Sequence, residues 1–124
     1  MSAISDKNKD LTRTFFEAVL NNQQFDLIPQ MLSPAYTFNG APQTAQQNQD
    51  WVRGLHASYP GLHFTIEAIL GDGDLVALRW RLDAPAAAGR PAGSARGTNI
   101  LAFADGQAIS NVQNSGRTTP LTSY

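Results

Sequence analysis

The chain has 124 residues, of which 42% are hydrophobic and 15% charged. That is enough apolar surface for one core, and it excludes both a self-repelling disordered segment and a two-domain architecture. Nine Lys and Arg against ten Asp and Glu leave a net charge of -1, and the arginines are scattered from Arg13 to Arg117, which argues against nucleic acid and anionic membrane as partners. Cysteine is absent, which excludes disulfides, thiolate metal sites and cysteine nucleophiles, and makes the cytoplasm the expected compartment.

The amino-terminal residues are polar, with neither the apolar run of a signal peptide nor a membrane span. Ser5-Asp6 followed by Leu11, Phe15, Ala18 and Val19 at helical spacing predicts a capped first helix ending near Asn21-Asn22. Asp26 before Leu27, Ile28, Met31 and Leu32 predicts a short second helix with Pro29 in its first turn. A first strand follows, from Tyr36 to Asn39.

Helix 3 is expected from Thr44 to Ser58, because Trp51, Val52, Leu55 and Tyr59 share one face. Asn48 falls within that apolar face. After Pro60-Gly61 the period becomes two: Leu62, Phe64, Ile66 and Ala68 face one way, His63, Thr65, Glu67 and Ile69 the other. Asp72-Gly73-Asp74 reads as a hairpin turn, beyond which Val76, Leu78, Trp80 and Leu82 alternate with Ala77, Arg79 and Arg81. The Ala-, Gly- and Pro-rich stretch 84–97 is expected to be a loop, either disordered or a flap over a pocket. Strands at Thr98–Ala104 and Ala108–Asn114 flank a tight turn at Asp105-Gly106. A single domain over 1–124 is expected, with its core at about 5–116 and residues 117–124 loosely held. Helices followed by an antiparallel meander make an α+β fold in which the helices cover the sheet's apolar face.

The ten carboxylates are mostly accounted for by helix starts, turns and polar helix faces. Glu67 remains, with Arg79 or Arg81 on the next strand as ion-pair partners and a general-base role as the alternative. His56 and His63 lack a third ligand at metal spacing, so no zinc or iron site is expected. No glycine-rich phosphate loop joins a strand to a helix, so no nucleotide is expected, and no cofactor. What the pattern does place inward is amide: Asn39, Asn48, Asn99, Asn111 and Gln113. A buried amide without partners costs ~1–3 kcal/mol, so such a cluster calls for water or a ligand. Trp51, Trp80, Phe64 and Phe103 read as core or pocket wall.

The phrases FFEAVLNNQQFDLIPQMLSPAYTFNG, HASYPGLHFTIEAIL, GDGDLVALRWRL and FADGQAIS, in this order between Leu11 and Asn114, resemble the SnoaL-like polyketide cyclases of the nuclear-transport-factor-2-like superfamily. The resemblance implies a cone-shaped α+β barrel of three amino-terminal helices on a curved antiparallel sheet, around a small-molecule pocket. Its ketosteroid isomerase relatives use a tyrosine, a base aspartate and a protonated aspartate; those positions match Phe16, Asn39 and Asn99 here. The acid of the polyketide cyclases falls on Asn111. Amides cannot abstract protons, so the isomerase mechanism is disfavoured.

The resemblance implies a cofactor-independent cyclase or isomerase acting on a polyketide- or terpenoid-like molecule. Asn99, Asn111 and His56 are the expected reacting groups. Phe16, Tyr36, Asn39, Asn48, Trp51, Trp80, Leu101, Phe103 and Gln113 are the expected ligand contacts. Proton transfer through water, His56, Tyr36 or the substrate itself stays open. A non-catalytic small-molecule-binding module is the alternative, and an epoxide hydrolase the third, since Arg79 lacks obvious flanking acids. A homodimer is expected. Asn99→Leu, similar in volume, is expected to keep the fold and weaken binding.

Overall fold

A computed structural model of the chain describes residues 3–87 and 89–119, with 116–119 as backbone only. Helix α1, Ala3–Thr14, begins earlier than the Ser5-Asp6 signal suggests. Ser5 is buried inside the helix rather than capping it, and its small side chain admits the backbone at Gly71: a Cβ on Gly71 would come within 3.2 Å of Ser5 Cβ. Thr12 Oγ1 donates to the Asn8 carbonyl at 2.8 Å, a back-bond that loosens the helical ladder. The helix then widens into a π-helical segment, Phe15–Asn21, which buries Phe16, Val19 and Leu20. Such segments insert one residue per turn and re-aim the side chains that follow.

A 3-10 turn at Phe25–Leu27 leads into α2, Ile28–Met31, with Pro29 in its first turn. Strand β1 occupies Leu32–Phe38, starting earlier than Tyr36, and a short β2, Ala41–Pro42, folds back on it. The turn between them is Asn39-Gly40, both at positive φ (50° and 83°), the two-residue hairpin geometry that Asn-Gly favours. Helix α3, Ala45–Ser58, has Thr44 as N-cap in a capping box with Gln47. The Gln47 N–H donates to Thr44 Oγ1 at 3.1 Å, and the Thr44 N–H to Gln47 Oε1 at 2.8 Å.

Strands β3 (His63–Asp72), β4 (Leu75–Ala84), β5 (Gly93–Ala104) and β6 (Gln107–Thr119) form the meander. The six-stranded sheet has the order β2-β1-β6-β5-β4-β3. It is curved and unclosed, and three helices pack on it. It is not wholly antiparallel, because β1 lies parallel to β6. Strict alternation in β3 stops at Glu67, the extra residue of a bulge between Ile66 and Ala68. Ala68 is therefore exposed and Ile69 packs against the core, the reverse of the simple period-two reading.

The expected loop at 84–97 shrinks to 85–92, since Ala84 pairs with Gly93 and Trp80 with Gly97. Arg90 pins this loop to the end of α3 by donating to the Ser58 carbonyl, and its guanidinium lies 4.7 Å from the Tyr59 ring centre. A cation there also meets the negative end of the helix. Residues 117–119, expected to be loosely held, continue β6 opposite Ser94 and Ala95; residues 120–124 lie outside the described residues. No helix among the described residues is long and apolar enough to cross a membrane.

The free edge of β3 is closed by a side chain. Asn21, at the end of the π segment, accepts from the Phe64 N–H at 2.7 Å and donates to the Phe64 carbonyl at 3.0 Å, imitating a strand partner. Edge amides left unpaired invite association with another chain.

Candidate functional site

The concave face of the sheet and the helices enclose two small voids, each about 20 Å³. Phe15, Tyr36 and Asn111 line both and form the neck between them. The first void is apolar, among Leu11, Met31, Leu32, Leu101, Phe103 and Ala108. The second is walled by Phe16, Phe38, Trp51, Phe64 and Trp80 and holds the amides of Asn48, Asn99 and Gln113. The aromatic wall interlocks edge to face: Phe16 meets Phe64 at 5.8 Å, and Phe64 meets Trp80 at 5.3 Å. A void of this size holds one water at ~10–15 Å³, whereas drug-sized ligands occupy about 300–1,000 Å³. Binding therefore requires the two voids to merge and widen, and the Phe15 ring stands at the neck.

The inward amides are organised by the sheet register. Trp80 lies on β4, Asn99 on β5 and Asn111 and Gln113 on β6, with Asn99 directly opposite Gln113. The Trp80 indole N–H donates to Asn99 Oδ1 at 2.6 Å. Asn99 Nδ2 donates to Asn111 Oδ1 at 2.8 Å and to Gln113 Oε1 at 3.4 Å. Tyr36 lies beside Asn111 at the border of both voids. Burial raises the Tyr36 hydroxyl above its ordinary pKa, and the neighbouring Asn111 amide opposes this more weakly. The phenol is thus neutral at physiological pH, a donor rather than a base.

The cluster largely satisfies itself. Asn99, 2% exposed, spends both amide hydrogens and an oxygen lone pair on protein partners. Asn48 is different. Also 2% exposed, it donates through Nδ2 to Gln43 Oε1 at 3.0 Å, while its Oδ1 has no partner.

Two expected site residues lie elsewhere. Asn39 is the exposed first residue of the β1–β2 turn, and its Oδ1 accepts from the Gln113 N–H at 2.7 Å. The Asn39-Gly40 dipeptide is a turn signal that outweighs its reading as a pocket amide. His56 lies outside both voids, with Nε2 2.7 Å from the Leu20 carbonyl, which requires a proton on that nitrogen. Phe16, Tyr36, Asn48, Trp51, Trp80, Leu101, Phe103, Asn99, Asn111 and Gln113 all line one void or the other. Phe15 and Phe38 were missed by sequence reasoning. Phe38 could have been found by extending the β1 alternation from Tyr36, whereas Phe15 turns on the π-helical geometry.

A larger hollow, about 610 Å³, is an open groove between α1 and the β3 edge, bordered by Arg13, Glu17, His63 and Glu67. Its size favours it and its chemistry does not. Arg13 pairs with Asp10 at 3.0 Å, and His63 lies 3.3 Å from the Asn21 amide. Glu67 lies between Arg96 at 3.0 Å and Arg79 at 3.3 Å. The hydrogen bond from Arg96, with the charges of both arginines, holds the Glu67 carboxyl below its usual pKa. Glu67→Gln is expected to leave any turnover intact. Because the folded pKa is depressed, the ion pairs stabilise the parent above the unfolded pKa, and that advantage fades as pH falls through the folded value. Thermal melts of both proteins across acidic pH check the convergence; loss of turnover in a folded Glu67→Gln protein would instead make Glu67 the base.

Several solved structures share the fold of this chain at low identity. A SnoaL-like polyketide cyclase from Agrobacterium tumefaciens is 17% identical with a TM-score of 0.78, covering 96% of this chain and 95% of its own. A proposed polyketide cyclase from Acidithiobacillus ferrooxidans is 22% identical with a TM-score of 0.77, over 94% of this chain and 92% of its own. TsrD from Streptomyces laurentii is 16% identical with a TM-score of 0.76, covering 93% and 90%. At these identities the likeness speaks for the fold alone, and no protein of curated function matches the chain in sequence. A SnoaL-like domain model matches residues 12–111, from the end of α1 through the π segment and the meander as far as Asn111 in β6, and the chain belongs to that SnoaL-like family.

Proposed function

We propose that the chain binds a small, flat, largely apolar oxygenated molecule between sheet and helices and acts on it as a cyclase- or isomerase-type enzyme. The observation that carries this reading is a hydrogen-bonded amide chain buried against an aromatic wall. Donors fixed in a dry cavity stabilise a developing enolate without reorganising during the reaction. Tyr36 and Gln113 contact the ligand oxygen, while Asn99, which holds the oxygens of Asn111 and Gln113, acts as a positioning residue. Polyketide or terpenoid intermediates fit this chemistry, and the similar structures carry polyketide cyclase names.

Among the residues lining the voids, Tyr36 is the one titratable group. Its neutral phenol donates and does not abstract, so the proton leaving the ligand's carbon passes to water or to another atom of the ligand. The same observation favours a second reading, a binding module without turnover. An epoxide hydrolase is less well supported, because Arg79 pairs with Glu67 away from the voids.

The outer sheet face carries Leu70 and Ile100, 72% and 53% exposed, beside Leu75 and Val112. Apolar side chains gathered on one sheet face suit a two-fold homodimer. Two measurements test the proposal. Denatured, purified protein is expected to release an apolar oxygenated molecule detectable by mass spectrometry, and light scattering at micromolar concentration is expected to give a dimer mass that Ile100→Glu halves. Turnover of that molecule separates enzyme from binder, and its release from a scrambled-sequence control of equal hydrophobicity would discredit both.

A further inference from the structure

The hydrogen bonds around the second void have a direction, and one residue sets it. An indole N–H can only donate. Trp80 therefore requires the oxygen, not the nitrogen, of Asn99 to face it. The Asn99 amide nitrogen must then face Asn111 and Gln113, which meet it with their oxygens. Each of those amides turns its own NH₂ the other way. At Asn111 the NH₂ is the group left on the side of Tyr36, and the Tyr36 hydroxyl, lining the same void, has a hydrogen to donate. Three amides that could each be flipped in isolation are locked into one polarity, and chains of this kind strengthen bond by bond.

The consequence is a cavity with two unlike walls. On the sheet side, Tyr36 and Gln113 line the void, and the phenol O–H and the amide NH₂ left over from the Asn99 contact are the groups able to donate. On the helix side, Asn48 Oδ1 is an acceptor, buried and without a partner, on a residue whose nitrogen is already held by Gln43. An orphaned buried carbonyl is rare enough to require a reason.

Resting on the reading of this cavity as the ligand site, we infer that its ligand carries two oxygen functions of opposite polarity: a carbonyl or enolate oxygen received by Tyr36 and Gln113, and an enol or phenol hydroxyl whose hydrogen is received by Asn48. A plain hydrocarbon or a ligand bearing carbonyls alone leaves Asn48 unpaired and is discriminated against. Asn48 is thus a specificity-determining residue for the hydroxyl, and Tyr36 for the carbonyl.

Three bicyclic probes of similar size separate these functions: 6-hydroxy-1-tetralone has both, 6-methoxy-1-tetralone lacks the donor, and 5,6,7,8-tetrahydro-2-naphthol lacks the carbonyl. Binding is read by quenching of tryptophan fluorescence and confirmed by calorimetry. The hydroxy ketone is expected to bind about tenfold or more tightly than either partner compound, as for one buried hydrogen bond. In Asn48→Leu the preference over the methoxy ketone is expected to vanish while the preference for the ketone persists. In Tyr36→Phe the pattern is expected to reverse. Circular dichroism verifies that each variant is folded, and Asn48→Asp, which keeps an acceptor, is expected to retain the hydroxyl preference.

Equal binding of hydroxy and methoxy ketones by the parent, or a hydroxyl preference surviving in Asn48→Leu, overturns the inference and leaves the cavity reading standing. Failure of all three probes to bind saturably up to their solubility limits overturns the cavity reading as well.

Discussion

Gly97→Ala is expected to be among the most destabilising single-methyl changes available in this chain. A Cβ there would lie 2.2 Å from Trp80 Cζ2 and 2.8 Å from the Asn114 carbonyl oxygen. Gly97 is also paired directly with Trp80 across β4 and β5, so the indole lies over bare backbone. Neither neighbour yields easily: the ring is wedged against Phe64, and the carbonyl belongs to the β5–β6 ladder. Overpacking of this kind costs ~1–3 kcal/mol and occasionally more. Because the ring can escape only by leaving Asn99, about 3 kcal/mol is expected, lowering Tm by roughly 10 °C for a domain of this size. Differential scanning calorimetry reads the shift. A change below about 2 °C would mean that the Trp80–Gly97 contact is not tight in solution.

Asn99→Leu is expected to destabilise as strongly, and the structure here changes the expectation drawn from volume alone. Leucine fills the space but strands the Trp80 N–H and the oxygens of Asn111 and Gln113. Leaving two or three buried polar groups unsatisfied costs about 2–5 kcal/mol in total. The double variant Trp80→Phe/Asn99→Leu removes donor and acceptor together, and it should be more stable than the sum of the single losses by roughly 0.5–3 kcal/mol. Additivity in urea melts would sink the network as a structural unit.

Asn99→Asp tests the same network by charge. The new carboxyl still accepts from Trp80, but when ionised it faces two amide oxygens. It is expected to stay protonated above its unfolded pKa, so this variant loses stability as pH rises through the interval between the unfolded and the raised folded value. The parent, with an amide there, has no such transition at that site. Melts at several pH values distinguish the two, and a variant whose stability follows the parent at every pH would place residue 99 in contact with water.

Much of the fold was legible in local pattern because local rules govern it. Helix 3 starting at Thr44 and ending at Ser58, the Asp72-Gly73-Asp74 and Asp105-Gly106 turns and the alternation of Val76, Leu78, Trp80 and Leu82 depend on a few neighbouring residues, and the structure has them where the pattern puts them. Where the reading erred, a second rule was present and underweighted. Asn39 reads as a pocket amide by strand alternation, although Asn-Gly is a hairpin turn. Residues 93–97 read as loop by composition, although the missing side chain of Gly97 is what lets Trp80 lie against the opposite strand. The bulge at Glu67 and the π segment at Phe15–Asn21 have no comparable local signature, because each is set by how the helix and the β3 edge meet.

The sequence by itself determined that apolar and amide residues would share the interior, that carboxylates would be spent on turns, caps and polar faces, and that one α+β domain would hold them. Only the tertiary structure decided what the amides do. Residues 36, 80, 99, 111 and 113 are distant in sequence, and their donors and acceptors are brought together by the parallel pairing of β1 with β6 and by the register of β4 through β6. An amide looks the same in sequence whether it donates or accepts. Its polarity was settled here by contact with an indole that can only donate, and the one buried side-chain oxygen without a partner among the described residues, on Asn48, could be recognised only when every neighbour was in place.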